Sequence, residues 1–187
     1  MKEKSDKQLV RQTLKDIDSY KYLVERYEKK LLAYIKRVLY VNKEDAEDIL
    51  QEVFIKAYRN LNGYNPNYKF SNWIYRIAHN ESVSFLRKNS KLIKISPNSK
   101  EENIFDQIPS DTNLELESIK DSDRDMVISL LRKLDSKSRD VLYLKYFEEK
   151  DYNEISEILR LSTGTVGSLI NRAKHKFKKL LENGKDK

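Results

Sequence analysis

The chain has 187 residues, 36% of them charged, with a formal net charge of +7, no cysteine and only two histidines, His79 and His175. Disulfides, thiolate metal sites and thiol nucleophiles are therefore excluded, and neither a metal site, a cofactor site nor a histidine-based triad is expected. A basic excess suits a polyanionic partner, nucleic acid or an anionic membrane surface, although many soluble proteins share it; no apolar run approaches the roughly 20 residues of a membrane span, and Met1 to Asp6 lack an apolar signal core, so the expectation is a cytoplasmic protein without membrane insertion.

Four glycines and three prolines leave few breakers, and no strand-like alternation stands out, which predicts an all-α fold. Tyr20, Leu23, Val24, Tyr27, Leu31, Tyr34, Ile35 and Val38 recur at helical spacing and mark a long amphipathic helix. Ala46, Ile49, Leu50, Val53, Phe54, Ala57 and Leu61 mark a second. Its polar face is acidic: Asp45, Asp48 and Glu52 fall at i, i+3 and i+7, with Glu44 and Gln51 beside them. Acid in a first turn compensates the helix dipole, but Glu52 lies more than a turn beyond it. The face fits a basic partner surface or plain solvent.

Gly63 to Asn67 reads as a turn, and Ser71 is expected to cap a third helix running to about Lys88. On that helix Trp73, Arg76, Asn80, Ser84 and Arg87 share one face, while Ile74, Ile77, Ala78 and Phe85 turn toward a core. An aromatic ring, an amide and arginines on one face suit single-stranded DNA, where bases stack on rings and cations hold phosphates. A lone tryptophan is also commonly a half-buried packing residue. The loop through Asn65, Asn67, Lys69, Phe70 and Ser71 precedes this face and has room for an extruded base.

The composition then shifts. Ser96 to Asp123 carries eight acidic residues against Lys100 and Lys120 alone, a net −6 that leaves +13 on the rest, together with Pro97 and Pro109. This predicts a flexible acidic linker over 93–122 between two small helical domains, 1–92 and 123–187. The linker reads either as a solvated tether or as a mimic of nucleic acid in a partner's basic channel.

Beyond it, Met126, Val127, Leu130, Leu131 and Leu134 mark another helix; Asp135 or Ser136 caps the next, which runs through Val141, Leu142 and Lys145 to Phe147. A C-terminal helix-turn-helix follows. Asp151 and Glu154 form a capping box, and Ile155, Ile158 and Leu159 give one apolar face. Ser162 caps a second helix whose inner stripe is Val166, Leu169, Ile170, Ala173, Phe177 and Leu180. Its outer stripe is Thr165, Ser168, Arg172, Lys176 and Lys179. Hydroxyls followed by basic residues suit a helix entering a major groove N-terminus first; the plain alternative is a helical hairpin with a solvated basic face.

Three segments in order carry a family resemblance. Asp45-Ala46-Glu47-Asp48-Ile49-Leu50-Gln51-Glu52-Val53-Phe54 resembles the core-polymerase-binding helix of bacterial sigma factors. The run from Phe70 through Trp73 to Asn80 resembles their promoter-melting helix, and Glu154 to Leu159 with Gly164-Thr165-Val166 and Arg172-Ala173 resembles their upstream-element reader. Order and spacing resemble the compact extracytoplasmic-function class over roughly residues 18 to 182.

The resemblance implies a sigma factor with no catalytic residue of its own. Asp45, Asp48, Gln51 and Glu52 would dock on the clamp helices of the largest polymerase subunit. Asn65, Asn67, Lys69, Phe70, Ser71, Trp73, Arg76, Asn80, Ser84 and Arg87 would recognise and open the minus-ten element. Ser162, Thr163, Thr165, Ser168, Arg172 and Lys176 would read the minus-thirty-five element, and the linker would thread near the active site and RNA exit channel. An anti-sigma factor is an expected further partner. Family members often have Ala at Ser156, Gly at Arg160, a basic residue at Gly167 and Pro near Asp135-Ser136. If Arg160 takes a left-handed turn, the strain is on the order of 1 kcal/mol.

Three rival readings remain at this point. A helix-turn-helix regulator that binds duplex DNA without polymerase leaves the acidic face and the Trp73 stripe without roles. A nuclease holding a metal on Asp45, Asp48 and Glu52 lacks a convergent second element. An adaptor that binds polymerase without DNA leaves the basic Arg172 to Lys179 stripe unexplained.

Overall fold

Four of the helices begin where a short polar side chain takes up a free amide. Ser5 accepts from the Gln8 amide while the Gln8 side chain accepts from the Ser5 amide, a complete capping box that starts α1, Asp6–Thr13. Asn42 accepts from the Asp45 amide at 2.7 Å to start α3, Lys43–Arg59. Asp135 does the same for α6, Ser136–Tyr146, and Asp151 with Glu154 for α7, Tyr152–Leu159. The remaining helices are α2, Tyr20–Leu39; α4, Phe70–Ile93; α5, Asp121–Arg132; and α8, Thr163–Lys185. Single 3-10 turns stand at Ile17–Ser19 and Leu61–Gly63.

The computed structural model describes residues 4–93 and 121–185, and every described element is helical. The chain divides into two compact units, residues 1–112 and 113–187. The expected linker lies outside the described residues except at its ends. Ile93 closes α4, and α5 opens at Asp121, so Asp121 and Asp123 belong to a helix.

In the first unit α2, α3 and α4 pack on one another, and α1 lies against α2. Their shared core contains Leu23, Leu31, Tyr34, Ile35, Val53, Ala57, Ile74 and Ala78. Polar links fix the edges. Tyr20 donates to the Phe54 carbonyl at 2.7 Å, Lys56 pairs with Glu81 at 2.5 Å, and Asp6 receives both Arg26 and the Tyr27 hydroxyl. The periodicity of α2 to α4 was plain in sequence. Helix α1 is an addition to the sequence reading, marked by the Ser5–Gln8 capping box and by buried Leu9, Val10 and Thr13. Ser71 does not cap α4. The helix starts one residue earlier, the Lys69 carbonyl accepts from the Asn72 and Trp73 amides, and the Ser71 hydroxyl turns to Asn72 instead.

In the second unit α8 packs on α5, α6 and α7, and α6 also touches α7. Helix α6 is buried at seven successive residues, Ser138 to Leu144, so it forms the centre. A helix enclosed on all sides carries no simple stripe, and it includes two charges. Arg139 is 0% exposed and Asp140 is 5% exposed. Burial pushes the Asp140 carboxyl up to about 7, against the opposing pull of Arg139.

These shifts give the units opposite acid responses. Burial lowers His79 to about 4 in the first unit, where the Tyr34 hydroxyl lies 3.4 Å from its Nδ1. The stability tied to the neutral ring is complete above the unfolded value near 6.5 and is lost as pH falls toward 4. Asp140 has the reverse sign: its folded pKa exceeds the unfolded one, so lowering the pH through 7 stabilises the second unit. Between about pH 7 and about pH 5, the first unit should lose roughly 1–2 kcal/mol through His79. Denaturant unfolding followed separately in each unit checks this. His79→Gln should flatten the first response and Asp140→Asn the second; an unaltered slope in either variant refutes that assignment.

Candidate nucleic-acid interface

The turn before α4 is built by its own side chains. Asn65 accepts from the Asn67 amide through its side chain and from the Tyr68 amide through its carbonyl, and the Tyr64 hydroxyl donates to the Tyr68 carbonyl at 2.6 Å. Asn65, Asn67 and Lys69 stay exposed and Ser71 is half-buried. Phe70 is the exception among the loop residues expected to meet DNA. At 2% exposure it belongs to the core, edge-on to Tyr27 at 5.5 Å and to Tyr64 at 5.4 Å. Its accessible neighbour is Trp73, half-buried, 5.4 Å from Phe70 and 5.5 Å from Tyr64. Trp73 therefore packs along part of its surface and presents the rest.

Along α4 the buried side contains Ile74, Tyr75, Ala78 and Ser82. Trp73, Arg76, Asn80, Ser84 and Arg87 lie opposite, with Asn80 and Arg87 exposed and the others half-buried. The structure thus brings the expected stripe together on one outward face. Ile77 and Phe85, expected inside, are only half-buried.

The acidic residues of α3 are also outward. Asp48, Gln51 and Glu52 are exposed and Asp45 is half-buried at the capped end. Sequence reading missed what continues this stripe. Ile55 and Arg59 follow Asp48 and Glu52 on the same side of the helix, and they border an apolar trough of about 810 Å³ with Ile17, Tyr20, Val24 and Phe54. Ile17 and Ile55 are exposed there, as is Tyr58, stacked at a tilt 5.2 Å from Tyr20. Three exposed apolar side chains thus cluster beside the acidic stripe. Among the described residues no group of three or more His, Cys, Asp or Glu is placed to hold a metal ion. None of the described helices is long and apolar enough to cross a membrane.

In the second unit the turn between α7 and α8 rests on Arg160, which is left-handed at φ 55°, ψ 47°. Its amide reaches the Ser156 carbonyl, and the Ser156 hydroxyl donates to the Leu161 carbonyl at 2.5 Å. The serine thus ties the far side of the turn. Ser162 accepts from the Thr165 amide at 3.1 Å and shares a hydroxyl contact with Thr165 at 2.8 Å. Val166, Ile170 and Ala173 are buried, and Leu169, Phe177 and Leu180 half-buried. Ser162, Thr163, Thr165, Ser168, Arg172 and Lys176 are all exposed, the last engaged with Asp135 at 2.5 Å.

Two helical units, one with an acidic and an aromatic-basic face, the other a helix-turn-helix, define the class of a DNA-addressing transcription factor. The sigma-70 region 2 family matches residues 23–92, and the sigma-70 region 4 family matches residues 124–177. The chain belongs to the extracytoplasmic-function sigma factors of bacterial RNA polymerase, which direct promoter recognition and initiation and are not enzymes. It is similar to the ECF RNA polymerase sigma factor SigW of Bacillus subtilis, 33% identical over 90% of this chain and 91% of that one. The fold is similar to that of CnrH, solved in complex with the cytosolic domain of CnrY, with a TM-score of 0.69, 23% identity and coverage of 96% and 99% of the two chains. It is also similar to the sigma factor RpoE solved with the anti-sigma factor NepR from Bartonella quintana, with a TM-score of 0.66, 20% identity and coverage of 87% and 96%.

A left-handed residue with a β-carbon is strained, so Arg160→Gly should stabilise the second unit by roughly 0.5–1 kcal/mol, the relief of strain exceeding the entropy glycine loses on folding. Equilibrium denaturation measures it, and a loss of stability would contradict the strain argument.

Proposed function

We propose a division of labour among three faces of this sigma factor. The α3 stripe of Asp45, Asp48, Gln51 and Glu52, extended by the trough at Ile55 and Tyr58, docks on the clamp helices of the largest polymerase subunit. The loop from Asn65 to Ser71 and the outer face of α4 take the opened minus-ten strand. Helix α8, from Ser162 to Lys176, reads the minus-thirty-five duplex. Residues 1–92 and 123–187 carry these tasks, joined by the acidic 93–122 segment, and the protein works in the cytoplasm.

The observation that carries this reading is the α4 stripe. Trp73, Arg76, Asn80, Ser84 and Arg87 stand away from the core on one helix. Trp73 packs along part of its surface, whereas single-strand binding uses the whole set: a stacked base contributes roughly 1–3 kcal/mol, which offsets the few kcal/mol of lost duplex stacking. For α8, a good bidentate base contact adds roughly 1–3 kcal/mol of discrimination. Tethering both units to one polymerase raises the effective concentration of each for its element. An anti-sigma factor is the further partner we infer; the RpoE structure of similar fold, solved with one, supports it.

Core polymerase supplemented with this chain should produce promoter-specific transcripts. Duplex binding without any restored initiation would instead mark a plain regulator. Asp48→Arg should abolish co-purification with polymerase while leaving the helical content unchanged; retained co-purification rejects the docking face. Trp73→Ala should keep polymerase binding but weaken permanganate reactivity of the opened strand by about tenfold, as expected for a lost stacking platform. Equal reactivity returns Trp73 to packing.

A further inference from the structure

We infer that Asp135 limits the DNA affinity of the α8 face by holding Lys176 in an ion pair; this rests on the assignment of α8 to the minus-thirty-five duplex. Lys176 continues the exposed stripe of Thr165, Ser168 and Arg172, one turn beyond the arginine. Its ammonium lies 2.5 Å from Asp135 Oδ2. The carboxylate is anchored independently. As N-cap of α6, Asp135 accepts from the Ser138 amide at 3.0 Å through Oδ1 and from the Ser138 hydroxyl at 2.8 Å through Oδ2.

An exposed ion pair between two flexible side chains is usually weak, in part because both must be immobilised. Here one partner is already fixed by the helix cap, so only Lys176 gives up freedom. Against the upward push of burial, the Lys176 ammonium first and then the two Ser138 bonds hold the Asp135 carboxyl at about 2, so it stays charged near neutral pH. To reach a phosphate Lys176 must leave a carboxylate that cannot follow it. The consequence is a smaller sequence-independent term in binding, with fewer counterions released. Base-edge contacts from Thr165, Ser168 and Arg172 nearer the helix start are left intact. Asp135 is thus a residue that sets how far address outweighs general adhesion to DNA.

Asp135→Asn separates the two tasks, because asparagine caps a helix about as well as aspartate but carries no charge. The test uses the full-length chain and a mixed-sequence duplex of ~20 bp, with affinity followed by fluorescence anisotropy from ~50 to ~200 mM salt. Asp135→Asn should steepen the slope of log affinity against log salt by about 1 and tighten binding about two- to eightfold near 100 mM salt. The gain should vanish when Lys176→Ala is also present. Wild-type behaviour in Asp135→Asn overturns the inference, and so does an equal gain in the Lys176→Ala background, which would reflect a removed charge rather than a released lysine. Arg172→Ala supplies the separate control. If it leaves duplex affinity unchanged, the assignment of α8 itself falls; if it weakens binding while Asp135→Asn does nothing, only the Asp135 inference falls.

Discussion

The ring of Phe70 sits between Tyr27 of α2, Tyr64 ahead of the loop and Trp73 one turn further along α4, with centroid separations of 5.4 to 5.5 Å. Each such aromatic pair contributes about 0.5–1.5 kcal/mol beyond the area it buries. The cluster fixes where α4 begins, how the 64–69 turn leaves it and how much of Trp73 faces outward. Asp6 extends the arrangement to α1, because its carboxylate takes the Tyr27 hydroxyl and the Arg26 guanidinium together. The short N-terminal helix, itself packed through Leu9, Val10 and Thr13, thus supports the aromatic floor beneath the outer face of α4. Trp73 on that face inherits its position from Phe70.

The second unit solves a different problem. It is small and has neither disulfide nor thiolate metal site to staple it. Its order comes from α6, enclosed on all sides, and from polar links at each turn. Asp135, Asp151 and Ser162 start helices α6, α7 and α8, and Ser156 with the left-handed Arg160 closes the turn between the last two. Arg139 and Asp140 are enclosed in that centre. Charge inside so small a core is costly. One residue, Asp135, serves both the interior and the surface, because it ends a loop and faces α8.

Three of the helices were legible from periodicity. Tyr20 to Val38, Ala46 to Ala57 and Val166 to Ala173 have the spacing of one buried face and fold accordingly. Capping chemistry was equally readable at Asp151 and Ser162. What stayed hidden depended on tertiary neighbours. Phe70 looked like a loop residue available to DNA, and only the approach of Tyr27 from α2 makes it core. Ser71 looked like a cap, but the chain becomes helical one residue earlier. The burial of Arg139 and Asp140 left no signal in the sequence, because a helix enclosed on every side has no period. The Ile55–Tyr58 trough was obscure because its other wall, Ile17 and Tyr20, lies more than thirty positions away in sequence.

Helix α8 carries three glycines, and the two in its first two turns, Gly164 and Gly167, have ordinary helical backbone. A β-carbon at Gly164 would meet nothing within 4 Å, and one at Gly167 would touch only the edge of the Tyr152 ring at 3.5 Å. Glycine inside a helix is generally less favourable than alanine by up to about 1 kcal/mol. Side chains can therefore be added at both positions while the helix becomes firmer. For most proteins an altered specificity comes at the expense of robustness. Here a single substitution in the first two turns of α8 adds a side chain without a compensating change elsewhere in the second unit.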